Sequence, residues 1–128
     1  MIVLDTSLLV DALSGPRRSA PALRATIEAG ERLLLPALVL YEWLRGPRLR
    51  EELEAQEALL PRGQAVAFGP EEAGIAARLY TALGRARGRE IDLAIAATAI
   101  AHGAELWTLD DADFRDVPEL VLYRPPVG

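Results

Sequence analysis

Cysteine, lysine and asparagine are absent from this chain of 128 residues, and histidine occurs once, at His102. Without cysteine there is no disulfide and no thiolate-bound zinc. A single His cannot build a His-rich zinc centre. Any metal must be held by oxygen ligands, which points to magnesium or manganese. No apolar run reaches about 18 residues, so no membrane-spanning helix is expected. Met1 runs straight into an apolar segment, so neither a signal peptide nor an export route is expected, and a cytoplasmic location is. The net charge of -5 argues against general affinity for nucleic acid, because phosphate contacts need cations. The sign balance is local, however: all 14 basic residues are Arg, the better fork for phosphate oxygens. A chain of this length that is 51% hydrophobic and 26% charged suits one globular domain, 1–128, with no internal linker or repeat.

What is present begins with Ile2, Val3 and Leu4, a short β-branched apolar run that predicts a buried strand. Asp5 ends it, and Leu8, Leu9, Val10 and Leu13 continue at helical spacing to the Gly15-Pro16 break. Residues 19–29 predict a second helix stopped by Gly30, 32–35 a strand, and 37–45 a helix opened by Pro36 and ended by Gly46-Pro47. A charged surface helix is expected over 48–60, with Arg48/Glu52 and Arg50/Glu54 pairs and a stripe of Leu49, Leu53 and Leu60. A strand is expected over 65–68. Pro70 opens a long helix with Ile75, Leu79 and Leu83 on one face. A basic loop holding Arg85, Arg87 and Arg89 precedes a nearly all-apolar helix over 90–102, capped by Gly103. Strands are expected over 105–108 and 120–123, separated by an acidic turn. Helices alternating with short apolar strands imply a mostly parallel sheet covered on both faces.

Four carboxylates fit their surroundings poorly. Asp5 stands at the carboxyl end of a buried strand, where open α/β sheets place their sites, although an acid there also suits a helix N-cap. Glu42 is the only charge between Arg32 and Arg45, and reads equally as one wet position on a buried helix or as a site residue. Asp92 is the sole charge from Ile91 to Ala101. A helix apolar all round is buried, and a buried acid needs the helix N-terminus, an Arg such as Arg89, or a cation as partner. Asp110, Asp111, Asp113 and Asp116 crowd one turn, where Asp111 and Asp116 read as solvated turn residues and Asp110 sits just past a strand end, as Asp5 does. If the first and fourth strands are neighbours, Asp5, Glu42, Asp92 and Asp110 make sense together around a hard divalent cation. Such a cation offsets their repulsion and suits phosphoester hydrolysis.

The opening I-V-L-D-T-S-L-L-V-D, the segment Y-E-W-L-R-G, the helix D-L-A-I-A-A-T-A-I-A-H-G and the turn T-L-D-D-A-D-F together resemble the PIN-domain nucleases. Among these the chain is most similar to the small VapC-like toxins of toxin–antitoxin pairs. The likeness covers essentially the whole chain. It implies a three-layer α/β/α sandwich with a mostly parallel central sheet, and a Mg2+-dependent endoribonuclease in which Mn2+ substitutes. Asp5, Glu42, Asp92 and Asp110 match the family's acidic quartet, with Asp113 a second candidate for the fourth place. Thr6 and Thr108 match hydroxyl positions beside the first and fourth acids. The resemblance also implies a VapB-like antitoxin partner and a homodimer.

On this reading the acids bind one or two metal ions, and Glu42 binds metal, directly or through water, or orients the attacking water. Arg85, Arg87 and Arg89 are candidate RNA contacts, weighed against a solvated basic loop. A phosphatase of the haloacid-dehalogenase type would want a second Asp where Ser7 stands, and a phosphoacceptor receiver domain would want a Lys. The alternative is a PIN fold with a weak or dead site, serving as an RNA-binding or protein-interaction module.

Overall fold

Ile2, Val3 and Leu4 are all buried, although successive strand side chains point to opposite faces. A strand buried on both faces lies at the centre of a covered sheet, and this one is β1 (Ile2–Leu4). The computed structural model describes residues 1–126; Val127 and Gly128, the end of the expected 1–128 domain, lie outside the described residues. β2 (Leu33–Leu34) and β3 (Glu105–Trp107) flank β1 in the order β2-β1-β3, both parallel to it. Ile2 pairs with Leu33 and Glu105, Val3 with Leu34 and Leu106, and Leu4 with Trp107.

Parallel neighbours need crossovers, and helices supply them. α1 (Thr6–Leu13) and α2 (Ala20–Glu28) join β1 to β2. α3 (Ala37–Arg45), α4 (Arg50–Leu59), α5 (Pro70–Ala82) and α6 (Glu90–Ala101) join β2 to β3. The chain leaves β1 toward one neighbour and returns past it to the other, a reversal that opens a crevice at the strands' carboxyl ends. The parallel α/β architecture expected from the sequence is therefore the one formed. No helix among the described residues is long and apolar enough to cross a membrane.

α6 is the buried helix of the fold. Every residue from Leu93 to Ala99 is buried, and the helix packs against α3, α5, β1 and β3. Its small Ala side chains let those neighbours approach closely, and Thr98 returns its hydroxyl to the Ala94 carbonyl at 2.9 Å. Thr26 and Tyr123 place their hydroxyls 3.0 Å apart, and the Tyr123 ring meets Trp107 edge to face at 5.0 Å.

Several expected elements are shorter than the pattern suggests. Of residues 65–68 only Val66 pairs, with Pro36, and of 120–123 only Leu122, with Leu106; each is a single parallel bridge rather than a strand. Pro36 is the N-cap of α3, not its first helical residue. α4 starts at Arg50, because Arg48 lies over the Trp43 ring at 4.3 Å and donates to the Trp43 carbonyl. The Arg48/Glu52 pair is thus not made, and Glu52 instead caps the Leu49 N–H at 2.8 Å. Arg50/Glu54 forms as expected. The expected stripe of α4 is corrected too. Leu49 and Leu53 are exposed, while Glu52 and Gln56 are buried, with Gln56 donating to the Leu60 carbonyl. Polar residues whose bonds are satisfied locally can be buried where the apolar stripe is too narrow to decide the orientation.

Replacing a methyl by an isobutyl group at the fully buried Ala96 should overpack this interior. Ala96→Leu is expected to destabilise the protein by about 1–3 kcal/mol, read as a lower urea midpoint at unchanged slope. An unchanged midpoint would contradict close packing around α6.

Candidate active site

Because β1 ends at Leu4 and β3 at Trp107, the parallel register carries Asp5 and Thr108 to the same level just beyond the sheet. The Asp5 N–H bonds to the Trp107 carbonyl at 2.9 Å. Asp5 occupies the N-cap position of α1, yet its side chain makes no cap bond. Its Oδ2 instead accepts from Thr108 Oγ1 at 2.7 Å and from Ser7 Oγ at 2.8 Å. The hydroxyls of Ser7 and Thr108 lie 3.2 Å apart. Ser7 Oγ also accepts from the Leu109 N–H and Thr108 Oγ1 from the Asp110 N–H, each at 3.0 Å. Two strand ends and the start of the acidic turn are thus joined through one buried carboxylate, 4% exposed.

Glu42 comes from α3. Val39 and Trp43, four apart, anchor that helix in the core, which leaves Glu42 half-buried at the margin of the apolar face. Thr6 Oγ1 on α1 donates to Glu42 Oε1 at 2.6 Å, and Arg45 approaches Oε2 at 3.4 Å. Asp92 stands in the first turn of α6, also half-buried. Asp110 and Asp113 are exposed on the turn beyond β3. The acids therefore descend from a solvated rim to a buried floor.

Arginines sort the acids of that turn. Asp111 pairs with Arg124 at 2.7 Å, Asp116 with Arg89 at 2.7 Å and Glu119 with Arg78 at 2.6 Å. Asp111 and Asp116 are thus paired, not simply solvated as expected. Among the described residues neither Asp110 nor Asp113 has an ion-pair partner. The charge of Asp113 is felt instead by other acids. The Asp92 pKa is pushed up to about 6, first by burial and then by the charges of Asp5, Asp113 and Glu42, with Arg89 opposing. The Asp110 carboxyl is also raised, by desolvation and by Asp5, Asp113 and Asp111. Asp113 acts on both groups, whereas Asp110 is not among the charges that shift Asp92.

Asp5, Glu42, Asp92 and Asp113 are thereby brought into one field, with Asp110 beside Asp5. Among the described residues no three such side chains converge into a ready-made ligand cage. The donor set nonetheless fits a hard divalent cation: every donor is oxygen, and no hydrogen bond within the described residues reaches Asp5 Oδ1. Thr6 and Thr108 hold Glu42 and Asp5 respectively. Of the basic loop, Arg85 and Arg87 are exposed, whereas Arg89 is engaged with Asp116. Trp43 is fully buried and Tyr41 is exposed. His102 sits at the end of α6, its Nδ1 2.9 Å from the Thr98 carbonyl and away from the acids.

Sequence reasoning missed Ser7, whose signal was a hydroxyl two residues after a strand-end acid. It also missed the Arg89–Asp116 pair, which spans 27 residues and leaves no local signature.

The PIN domain family model matches residues 2–120. Ribonuclease VapC19 from Mycobacterium tuberculosis is 34% identical over 98% of this chain and 99% of its own length. In fold, the chain is similar to a DNA-bound VapBC from Salmonella typhimurium, with a TM-score of 0.80 and 18% identity over 95% of this chain and 96% of that one. It is also similar to a toxin–antitoxin complex from Klebsiella pneumoniae, with a TM-score of 0.74 and 22% identity over 98% of this chain and all of that one.

An acid whose folded pKa lies above its unfolded value contributes stability at low pH and loses it as pH rises through the folded pKa. For Asp92 that window runs from about 4 to about 6. In chelator-treated protein, Asp92→Asn should therefore raise the melting temperature at pH 7 and leave it nearly unchanged below pH 4. A lower melting temperature at pH 7 would mean that the Asp92 charge is satisfied within the protein.

Proposed function

The chain belongs to the PIN-domain family, and we propose on that footing that it is a divalent-metal-dependent endoribonuclease, the toxin of a toxin–antitoxin pair. One observation carries the reading. Burial, and after it the charges of Asp5, Asp113 and Glu42 from distant segments, push the Asp92 pKa up to about 6, while the neighbouring acids Asp111, Asp116 and Glu119 are paired with Arg. The name of the VapC19 relative supports ribonuclease chemistry, and the complexes among the structural neighbours support an antitoxin partner of the VapB kind.

Asp5, Asp92 and Asp113 would hold Mg2+ or Mn2+, with Asp110 and Glu42 contributing directly or through water. A divalent cation bound there would stabilise the negative charge that develops on the phosphorus oxygens. Thr108 and Ser7 fix the Asp5 carboxylate, so that one oxygen is committed to hydroxyls and the other stays available. Thr6 fixes Glu42, which orients the attacking water in line with the leaving 3′ oxygen and so leaves a 5′ phosphate on the downstream fragment. No histidine base is needed. Arg85 and Arg87, exposed on the loop before α6, offer phosphate contacts. Arg89 is withdrawn from that role, because its guanidinium is taken by Asp116. The protein acts as a homodimer in the cytoplasm.

Antitoxin-free protein should cut members of a panel of structured RNAs with Mn2+. The cuts should disappear with EDTA and in a folded Asp92→Asn variant. Metal-dependent cutting that survives Asp92→Asn would sink the assignment of these acids. No cutting on any RNA, together with no Mn2+ binding, would favour an inactive interaction module. Thr108→Val, which frees Asp5 Oδ2 from one of its two hydroxyls, should lower activity by about 10- to 100-fold; full activity would remove Thr108 from the site.

A further inference from the structure

Arg89 is the N-cap residue of α6, three residues before Asp92. Its guanidinium makes four hydrogen bonds. Nη1 donates to the Arg85 carbonyl at 3.1 Å and to Asp116 Oδ2 at 2.9 Å; Nη2 donates to Asp116 Oδ1 at 2.7 Å and to the Asp113 carbonyl at 2.8 Å. The side chain is 19% exposed, whereas Asp116 is 49% exposed. A two-pronged Arg–carboxylate contact fixes orientation as well as distance. One end of this contact is the root of the helix that carries Asp92. The other is the backbone of Asp113 and the side chain of Asp116. The two acids come from segments that no strand pairing joins, since the turn lies beyond β3 and α6 precedes it.

From this geometry we propose that Arg89 is a positioning residue, a strut that sets the separation of Asp92 and Asp113 and thereby the affinity of the cleft for a divalent cation. Asp116 is the socket of the strut. The proposal rests on the metal-dependent reading above and assigns Arg89 no contact with metal or RNA.

Charge and position predict opposite signs. Arg89 is a cation beside a cation site, so simple electrostatics would have Arg89→Gln strengthen metal binding. A strut predicts the reverse.

The test is Mn2+ titration calorimetry on the full chain, for wild type, Arg89→Gln, Arg89→Lys, Asp116→Asn and Asp92→Asn, each first shown folded by its melting curve. Arg89→Gln is expected to weaken Mn2+ by about 10- to 100-fold, the usual effect of removing a group that orients a ligand. Asp116→Asn, which breaks the same fork from its exposed end, should weaken it too, and Arg89→Lys should restore part of the loss. In RNA cleavage kcat should fall with KM unchanged. Unchanged or tighter Mn2+ binding by Arg89→Gln overturns the strut, as does a raised KM for RNA with Mn2+ affinity intact. If wild type and Asp92→Asn bind Mn2+ alike, the metal reading itself fails and this inference with it. Loss of Mn2+ binding in Asp92→Asn alone overturns only the strut.

Discussion

Asp5 is a carboxylate buried at the seam of two parallel strands, and a polar group buried there needs hydrogen-bond partners. The hydroxyls of Ser7 and Thr108 meet that demand on one oxygen. Hydrogen bonds to a charged group are worth about 1.5–3 kcal/mol each, and a buried oxygen left without them is costly. The Thr108 bond forms only because β1 and β3 lie side by side in the register that levels Leu4 with Trp107. The fold and the charge arrangement therefore depend on one another. A slipped register would separate Asp5 from Thr108 and leave the buried acid with the Ser7 hydroxyl alone.

Electrostatic economy at the turn after β3 separates two kinds of acid. Asp111, Asp116 and Glu119 are tied to Arg124, Arg89 and Arg78, which also pin this segment to the body of the protein. Asp110 and Asp113 are left without an Arg among the described residues, and the charge of Asp113 acts on both Asp92 and Asp110. In a chain without lysine, guanidinium groups do all of this neutralising, and their planar forks suit paired carboxylate oxygens better than a point charge would.

Much of this was legible in the sequence where burial made the pattern unambiguous. The strand over 2–4 and the helix over 90–102 have no alternative reading once their apolar runs are counted, and Asp5 at the end of the one and Asp92 within the other stood out as acids in apolar company. Short pairings were not legible. Residues 65–68 and 120–123 look like strands because their side chains are apolar, yet each contributes one bridge, since pairing length depends on the neighbour and not on the segment. α4 failed for a different reason. Its apolar stripe is weak, and the turn of Arg48 onto Trp43 and the cap made by Glu52 decided which face went inward. That the charge of Asp113 reaches Asp92 while that of Asp110 does not was likewise beyond the sequence, since it depends on how the turn after β3 folds back toward α6.

The pairing of β1 with β3 has a consequence for how the protein comes into being. Its central strand is made first, and the partner that completes the cleft is made about a hundred residues later, with Asp5 and Thr108 separated by 103 positions. Such distant contacts form slowly, because the intervening loop must be closed before any of them is rewarded. During translation the early helices can gather around β2 while β1 keeps one edge open. Thr108 reaches Asp5, and the Asp113 carbonyl reaches Arg89, only when synthesis has passed β3 and the turn beyond it, so a chain interrupted earlier lacks both contacts.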